Sequence, residues 1–160
     1  MKRLKLYFID NEYIEYLRKY DNRVAFNKMP SRPYIGVVYL YHNFTYFAPL
    51  SSPKPKHLLM NNNIIDLFKI ENGKLGVINL NNMIPCTEKV LTEAIPIVND
   101  KKYKILLENQ LNYINANRDI LFKKTARFQE KYRQGYLYYN IMNRCCDFPL
   151  LEEKCLVYKK

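Results

Sequence analysis

The chain has 160 residues and carries 26 lysines and arginines against 15 aspartates and glutamates, a formal net charge of +11. A hydrophobic share of 48% with 26% charged residues is a globular composition rather than a disordered one, and the length suits one domain spanning 1–160. No stretch approaches 18 consecutive apolar residues, and the opening MKRLKLYFID reaches an acid before a signal-peptide segment can form. The expectation is therefore a cytoplasmic protein, neither secreted nor membrane-spanning, and neither a fibrous rod nor a disulfide miniprotein.

Leu4, Leu6 and Phe8 alternate with polar or aromatic partners, which predicts a short strand. Asp10 or Asn11 then caps a helix in which Tyr13, Ile14, Tyr16, Leu17 and Tyr20 fall at helical spacing. Pro30, Ser31, Arg32 and Pro33 form a stiff loop. Tyr34–Tyr41 is a β-branched and aromatic run answered by Phe44–Ala48 across His42 and Asn43, the pattern of a hairpin. Ile64–Ile70 and Lys74–Leu80 form a second pair turned by Glu71, Asn72 and Gly73. From Lys101 the period changes. Leu107, Leu111, Ile114, Leu121, Phe128 and Tyr132 lie on a 3–4 stripe, read as two helices broken near Asn115, Ala116 and Asn117. Lys123, Lys124, Arg127, Lys131 and Arg133 fall on the outward side of the second, and a last helix begins near Pro149. The class is α+β, a small, mainly antiparallel sheet or barrel followed by a helical half.

The charge is uneven. Residues 61–100 hold three basic and five acidic side chains, so the surplus sits in the two ends of the chain. Charge of this kind speaks of polyanionic partners, RNA foremost. Fifteen tyrosines with no tryptophan offer stacking faces for unpaired bases, although those between Tyr34 and Tyr46 are expected to fill the core. The four cysteines, 86, 145, 146 and 155, form no CxxC pair, which with only His42 and His57 disfavours zinc and suggests reduced thiols. The glycines are too scattered for a phosphate-binding loop and the acids too sparse for a divalent-metal cluster, so any phosphoryl chemistry is expected to run without metal or other cofactor.

The segment from Ala48 to His57, APLSSPKPKH, stands apart. Pro49, Pro53 and Pro55 stiffen it, and Ser51, Ser52, Lys54, Lys56 and His57 gather hydroxyls, ammonium groups and an imidazole. Such donors and charges suit the non-bridging oxygens of a phosphodiester and its transition state. The alternative is an ordinary polar connection after a strand.

Several motifs in order carry a resemblance that covers the whole chain. They are Tyr13-Ile14-Glu15-Tyr16-Leu17 with Asp21, Tyr34-Ile35-Gly36-Val37-Val38, Tyr46-Phe47-Ala48-Pro49-Leu50, and Ser51-Ser52-Pro53-Lys54 followed by His57. Leu75–Leu80, Met83-Ile84-Pro85, Ala116-Asn117 and Phe148–Lys154 complete the series. Together they resemble the ToxN/AbiQ/CptN endoribonuclease toxins of type III toxin–antitoxin systems, whose signature is a serine or threonine, then Ser-Pro-Lys, two variable residues and His. The resemblance implies a compact SH3-like antiparallel β-barrel like that of the Kid/MazF toxins, with packed helices around it. It also implies metal-independent cleavage of single-stranded, A-rich RNA, leaving 2′,3′-cyclic phosphate and 5′-hydroxyl ends. The expected partners are a repeat RNA antitoxin, folded as a pseudoknot and forming a closed RNA–protein assembly, and cellular or phage mRNA as substrate, with no DNA and no membrane.

By position, Ser51, Ser52 and Lys54 fall on the family's active-site loop and Tyr13 on its first-helix tyrosine. Tyr34 is the candidate for a second tyrosine, since Val24–Pro33 is shorter than the corresponding loop of relatives. Lys54 is assigned to the phosphorane charge, with proton donation also open to it. Tyr13 or His57 would orient or protonate the leaving oxygen, and His57 could instead anchor the loop. Lys56, Arg32 and Tyr34 are candidate RNA contacts, with Lys123, Lys124, Arg127 and Lys131 facing the antitoxin. Two rival readings use the same residues: a non-catalytic basic RNA-binding module, and a peripheral membrane protein built on the amphipathic stretch 103–133.

Overall fold

The alternation at the start of the chain becomes strand β1 (Lys5–Ile9) in a computed structural model that describes residues 3–27 and 32–160. Helix α1 (Asn11–Arg18) follows, burying Tyr13, Ile14 and Leu17, with Glu12 in its first turn and Arg18 in its last, as the helix dipole favours. Of the expected proline loop, Pro30 and Ser31 lie outside the described residues. Strands β2 (Tyr34–Tyr41) and β3 (Phe44–Ser51) pair antiparallel with Tyr41 opposite Phe44. His42, at φ +52, supplies the left-handed backbone that a two-residue hairpin turn requires. β3 runs three residues past the expected Ala48, so the serine of the polar loop is its last residue. A five-residue helix, α2 (Pro55–Leu59), comes next.

The second predicted pair exists but is shorter: β4 (Leu67–Lys69) against β5 (Val77–Asn79). Glu71, Asn72, Gly73 and Gly76 all have positive φ, which curls the connection into a 3₁₀ turn instead of extending the ladder. Two short strands went unread in the sequence. β6 (Ile84–Pro85) pairs with β3, and β7 (Leu91–Glu93) pairs with β1. At two and three residues they are too short to show a period. The seven strands are antiparallel in the order β4-β5-β3-β2-β1-β7, with β6 beside β3, and with the helices around them the fold is α+β as expected.

The 3–4 stripe resolves into α3 (Lys101–Ala116) and α4 (Arg118–Gln134), separated at Asn117. Asp100 caps α3 by accepting from the Tyr103 N–H, and Gly135, at φ +75, ends α4 in the left-handed conformation. Leu107, Ile114, Leu121 and Phe128 are fully buried. Arg133 departs from the expected outward face: its guanidinium lies 3.6 Å over the Tyr41 ring and donates to Glu152 at 2.8 Å. A short α5 (Tyr139–Met142) precedes α6 (Phe148–Val157), which has Pro149 in its first turn. No helix among the described residues is long and apolar enough to cross a membrane.

Polar clamps tie the helical half to the sheet. Asn115 on α3 accepts from the Leu4 N–H at 2.8 Å and donates to the Leu4 carbonyl at 3.0 Å, satisfying backbone as a neighbouring strand would. Tyr46 donates to Glu152 at 2.6 Å. Asp66, fully buried, takes a two-pronged contact from Arg144 at 2.6 and 2.8 Å and a third from Asn81 at 2.8 Å. The four cysteines are buried and unbridged, and burial pushes the Cys145 thiol up to about 12, so it is protonated at neutral pH. Arg144 is itself exposed, but removing it strands the carboxylate of the fully buried Asp66, at a cost of about 3 kcal/mol. Arg144→Ala is therefore expected to lower the unfolding free energy by about 3 kcal/mol in urea titration. A loss under about 1 kcal/mol would mean that Asn81 alone satisfies Asp66.

Candidate active site

The polar loop begins where β3 ends. Ser51 pairs with Val77 of β5, so its backbone is held in the sheet while its side chain stands at the edge. Proline at position 55 suits the first turn of α2, and Lys54 precedes it in an extended conformation. The His57 N–H donates to the Lys54 carbonyl at 2.9 Å, and the Lys54 N–H donates back to His57 Nδ1 at 3.1 Å. The second bond requires Nδ1 to be unprotonated. Burial lowers the pKa of the imidazole, and the charges of Lys56, Lys54 and Lys69 push it the same way. His57 is thus a neutral, buried side chain hydrogen-bonded to the start of its own helix.

Asn79, at the end of β5, donates from Nδ2 to Ser51 Oγ at 2.8 Å and more weakly to the Pro49 carbonyl at 3.5 Å. A carbonyl can only accept, so the second contact fixes which end of the amide faces the loop. With Oγ already accepting, the Ser51 hydrogen is left to point away from Asn79, and it has no partner among the described residues. Arg32 donates from Nη1 to the Leu50 carbonyl at 3.1 Å, which sets a guanidinium one residue before Ser51. Ser52, Lys54 and Lys56 are exposed. Lys69 closes the far end of α2 by donating to the carbonyls of Met60 at 2.9 Å and Leu58 at 3.4 Å.

Two glycines make the close approach possible. A Cβ on Gly76, at φ +100, would lie 2.1 Å from the Ser51 carbonyl oxygen, and one on Gly73, at φ +91, 2.4 Å from that of His57. The turn between β4 and β5 therefore presses on both ends of the loop with nothing between the backbones. Asn79, Gly73, Gly76 and Lys69 were not singled out as site residues from sequence. The only available signal was that Gly76 and Asn79 belong to the recurring motif Leu75–Leu80.

The structure leaves two expected tyrosines in the interior. Tyr13 is buried and donates its hydroxyl to the Pro85 carbonyl at 2.5 Å; burial, with Cys86 and Cys155 nearby, raises its pKa far above the usual phenol value. Pro85 lies opposite Tyr46, five residues along β3 from Ser51, or about 16 Å at 3.3 Å per residue. Tyr34 is also buried, and its hydroxyl has no hydrogen-bond partner among the described residues. Tyr103, in the first turn of α3, lies close enough for the Arg32 charge to act on it against the effect of burial. Lys123, Lys124, Arg127 and Lys131 of α4 sit apart from the loop, facing the Asn62–Asn63 segment; Lys124 Nζ donates to the Asn62 carbonyl at 3.3 Å.

The loop thus offers an outward hydroxyl hydrogen at Ser51, a second hydroxyl at Ser52 and an exposed ammonium at Lys54, with Arg32 behind them. This is a donor-rich, cationic edge suited to a phosphodiester. Its geometry rests on Gly76. Gly76→Ala is expected to cost at least about 2 kcal/mol, combining left-handed strain with a backbone clash. Thermal and urea unfolding would read this, and a near-neutral alanine would show that the turn does not press on the loop.

The family described as toxin ToxN of type III toxin–antitoxin systems matches residues 5–156. The endoribonuclease ToxN of Bacillus thuringiensis subsp. kurstaki is 36% identical over 98% of this chain and 84% of its own length. A solved structure of AbiQ, a lactococcal anti-phage endoribonuclease of the type III class, superposes with a TM-score of 0.86 at 28% identity, over 98% of both chains. Another, of a type III toxin inhibited selectively by a non-coding RNA pseudoknot, gives 0.83 at 35% identity over 99% of both. With a match over nearly its full length, and with the signature serines and lysine on one exposed edge, the chain belongs to the ToxN family of type III toxin–antitoxin toxins.

Proposed function

We propose that residues 1–160 act as one endoribonuclease domain that cuts single-stranded RNA without a metal ion, leaving a 2′,3′-cyclic phosphate and a 5′-hydroxyl. The observation that carries this reading is Ser51 held from behind by Asn79, its hydrogen unused, beside exposed Ser52 and Lys54. The reaction needs no protein nucleophile. The 2′-oxygen loses its proton and attacks the adjacent phosphorus, the bond to the 5′-oxygen breaks, and that oxygen takes up a proton. The protein must hold the phosphate in line and stabilise the charge gathered on its non-bridging oxygens. Ser51 and Ser52 donate to those oxygens, Lys54 supplies positive charge to the phosphorane, and Lys56 and Arg32 steer the incoming strand. His57 acts by positioning: its Nδ1 fixes the Lys54 amide and hence the start of α2. Tyr13 and Tyr34 support the fold beneath the site.

On the same reading the substrate is cellular or phage mRNA, A-rich at the cleavage site, and the inhibitor is a repeat RNA antitoxin folded as a pseudoknot. The enzyme processes that RNA and is held by it in a closed assembly. Lys123, Lys124, Arg127 and Lys131 contribute to the antitoxin surface. The setting is the bacterial cytoplasm, and release of the toxin would serve abortive infection.

Incubating the protein with A-rich single-stranded RNA and EDTA tests this directly. The wild type is expected to cut and leave cyclic-phosphate ends, and Lys54→Ala to lose cleavage by at least a hundredfold while still binding RNA. Binding without cleavage by the wild type would favour the non-catalytic RNA-binding module, and an active Lys54→Ala would remove the assignment of that residue.

The pH dependence tests His57. An imidazole whose folded pKa lies below its ordinary 6.5 is favoured neutral by the fold, so its contribution is intact above pH 6.5 and is lost as pH falls. Protonated Nδ1 can no longer accept from the Lys54 amide. Below pH 6.5 the wild-type rate should fall more steeply than that of His57→Asn, which keeps an acceptor but cannot titrate. Parallel profiles would show that His57 does not hold the loop.

A further inference from the structure

Behind α2 the chain forms a cleft that the reaction above does not use. Asn62, Asn63 and Ile65 make one wall of a groove of about 510 Å³, with Lys123, Lys124 and Arg127 of α4 opposite. Past Lys131, and sharing Asn63 and Ile65, it opens into a second recess of about 470 Å³ between Ile64 and Ile65 on one side and Leu137 and Ile141 on the other. Both volumes fall in the range of ligand-binding sites. Among the described residues, no aspartate or glutamate lines either part. Tyr136 and Tyr138 stand at the mouth of the apolar recess, 71% and 80% exposed.

A row of cations leading to an apolar slot rimmed by exposed aromatic rings is the chemistry that binds an unpaired nucleotide strand, phosphates along the cations and a base against the rings. The side-chain amides of Asn63 and Asn140 add hydrogen-bonding groups at the slot. The groove lies apart from the polar loop but is joined to it through a short stretch of chain. Its Asn61–Ile65 wall follows directly from α2, which starts one residue after Lys54 and rises only about 8 Å over its five residues. We infer that this cleft is a subsite for the substrate strand, in which an unpaired RNA base a few nucleotides from the scissile phosphate stacks on Tyr136 and Tyr138 and enters the slot between Ile65 and Ile141. Burial of Lys124 against Asn62 lowers its pKa, and a phosphate would relieve that penalty. The inference rests on the RNA-cleaving reading. It adds that an RNA inhibitor lying over α4 would block the path of the substrate, not only its cleavage point.

The test uses the full chain carrying Lys54→Ala, so that RNA stays intact, and fluorescein-labelled 12-nucleotide homopolymers of A, U and C, each alone and as a perfect duplex with its complement. Adding Tyr136→Ala and Tyr138→Ala is expected to weaken single-strand binding about tenfold, while duplex binding, weaker from the start, changes little. A 4-thiouridine placed within the strand should photocross-link to the peptide spanning 135–144. Unchanged affinity with cross-links elsewhere would overturn the inference. So would equal binding of duplex and single strand, or no RNA binding at all. Wild-type cleavage of the same 12-mers is scored separately. No cleavage with the cross-link intact would remove the nuclease reading and leave the cleft, whereas cleavage with no cross-link would do the reverse.

Discussion

Every group in the candidate site takes its position from the last residue of β3. That strand has a neighbour on both edges, β2 along one side and β6 and then β5 along the other, so its end cannot fray or slide in register. A one-residue slip would turn Ser51 to the other face of the sheet. The polar loop therefore leaves the sheet at one fixed point. The glycine turn on one side, the Lys54–His57 clip ahead and the Asn79 amide behind then leave it little freedom. Rigidity of this kind is what in-line phosphoryl chemistry demands, because misplacing the donors by about 1 Å costs on the order of a hundredfold in rate.

The division of labour among the polar residues follows from burial. Asp66, Glu152, Asn115 and Asp21 are all inside and all satisfied, each joining segments distant in sequence. Burial works against the charge on Asp21, yet the Asp147 amide and Arg23 outweigh it and hold its carboxyl below the usual range. Of the fifteen acidic side chains, Asp21, Asp66 and Glu152 are spent on interior clamps. The uncompensated charge of the chain is left on lysines and arginines at the surface, around the loop and along α4. A net charge of +11 with exposed cations beside the loop and along α4 suits a polyanionic partner.

Much of the fold was legible in the residues because period and turn chemistry are local. The β2–β3 hairpin follows from two β-rich runs around His42 and Asn43, α1 and the two long helices from 3–4 spacing, and α6 from Pro149. β6 and β7 were not legible: two- and three-residue strands exist only because a partner strand holds them. The second hairpin was overextended because the left-handed backbone begins already at Glu71, ahead of Asn72 and Gly73; asparagine and glycine favour that conformation, but a glutamate does not announce it.

By itself the sequence determined which chemistry is present: two hydroxyls, a lysine and a histidine on a proline-stiffened loop after a strand, in a strongly basic chain with the ordered motifs of a toxin family. Only the tertiary structure decided where each of them sits and what it touches. His57 became a clip, Tyr13 and Tyr34 became core, Arg133 turned inward to Glu152, and Asn79, Gly73 and Gly76 became the frame of the loop. The physical reason is range. Residue type and spacing are properties of neighbours along the chain, whereas burial, the orientation of a hydroxyl hydrogen and the closeness of two backbones arise between segments some 20 to 30 residues apart, as Asn79 and Ser51 are.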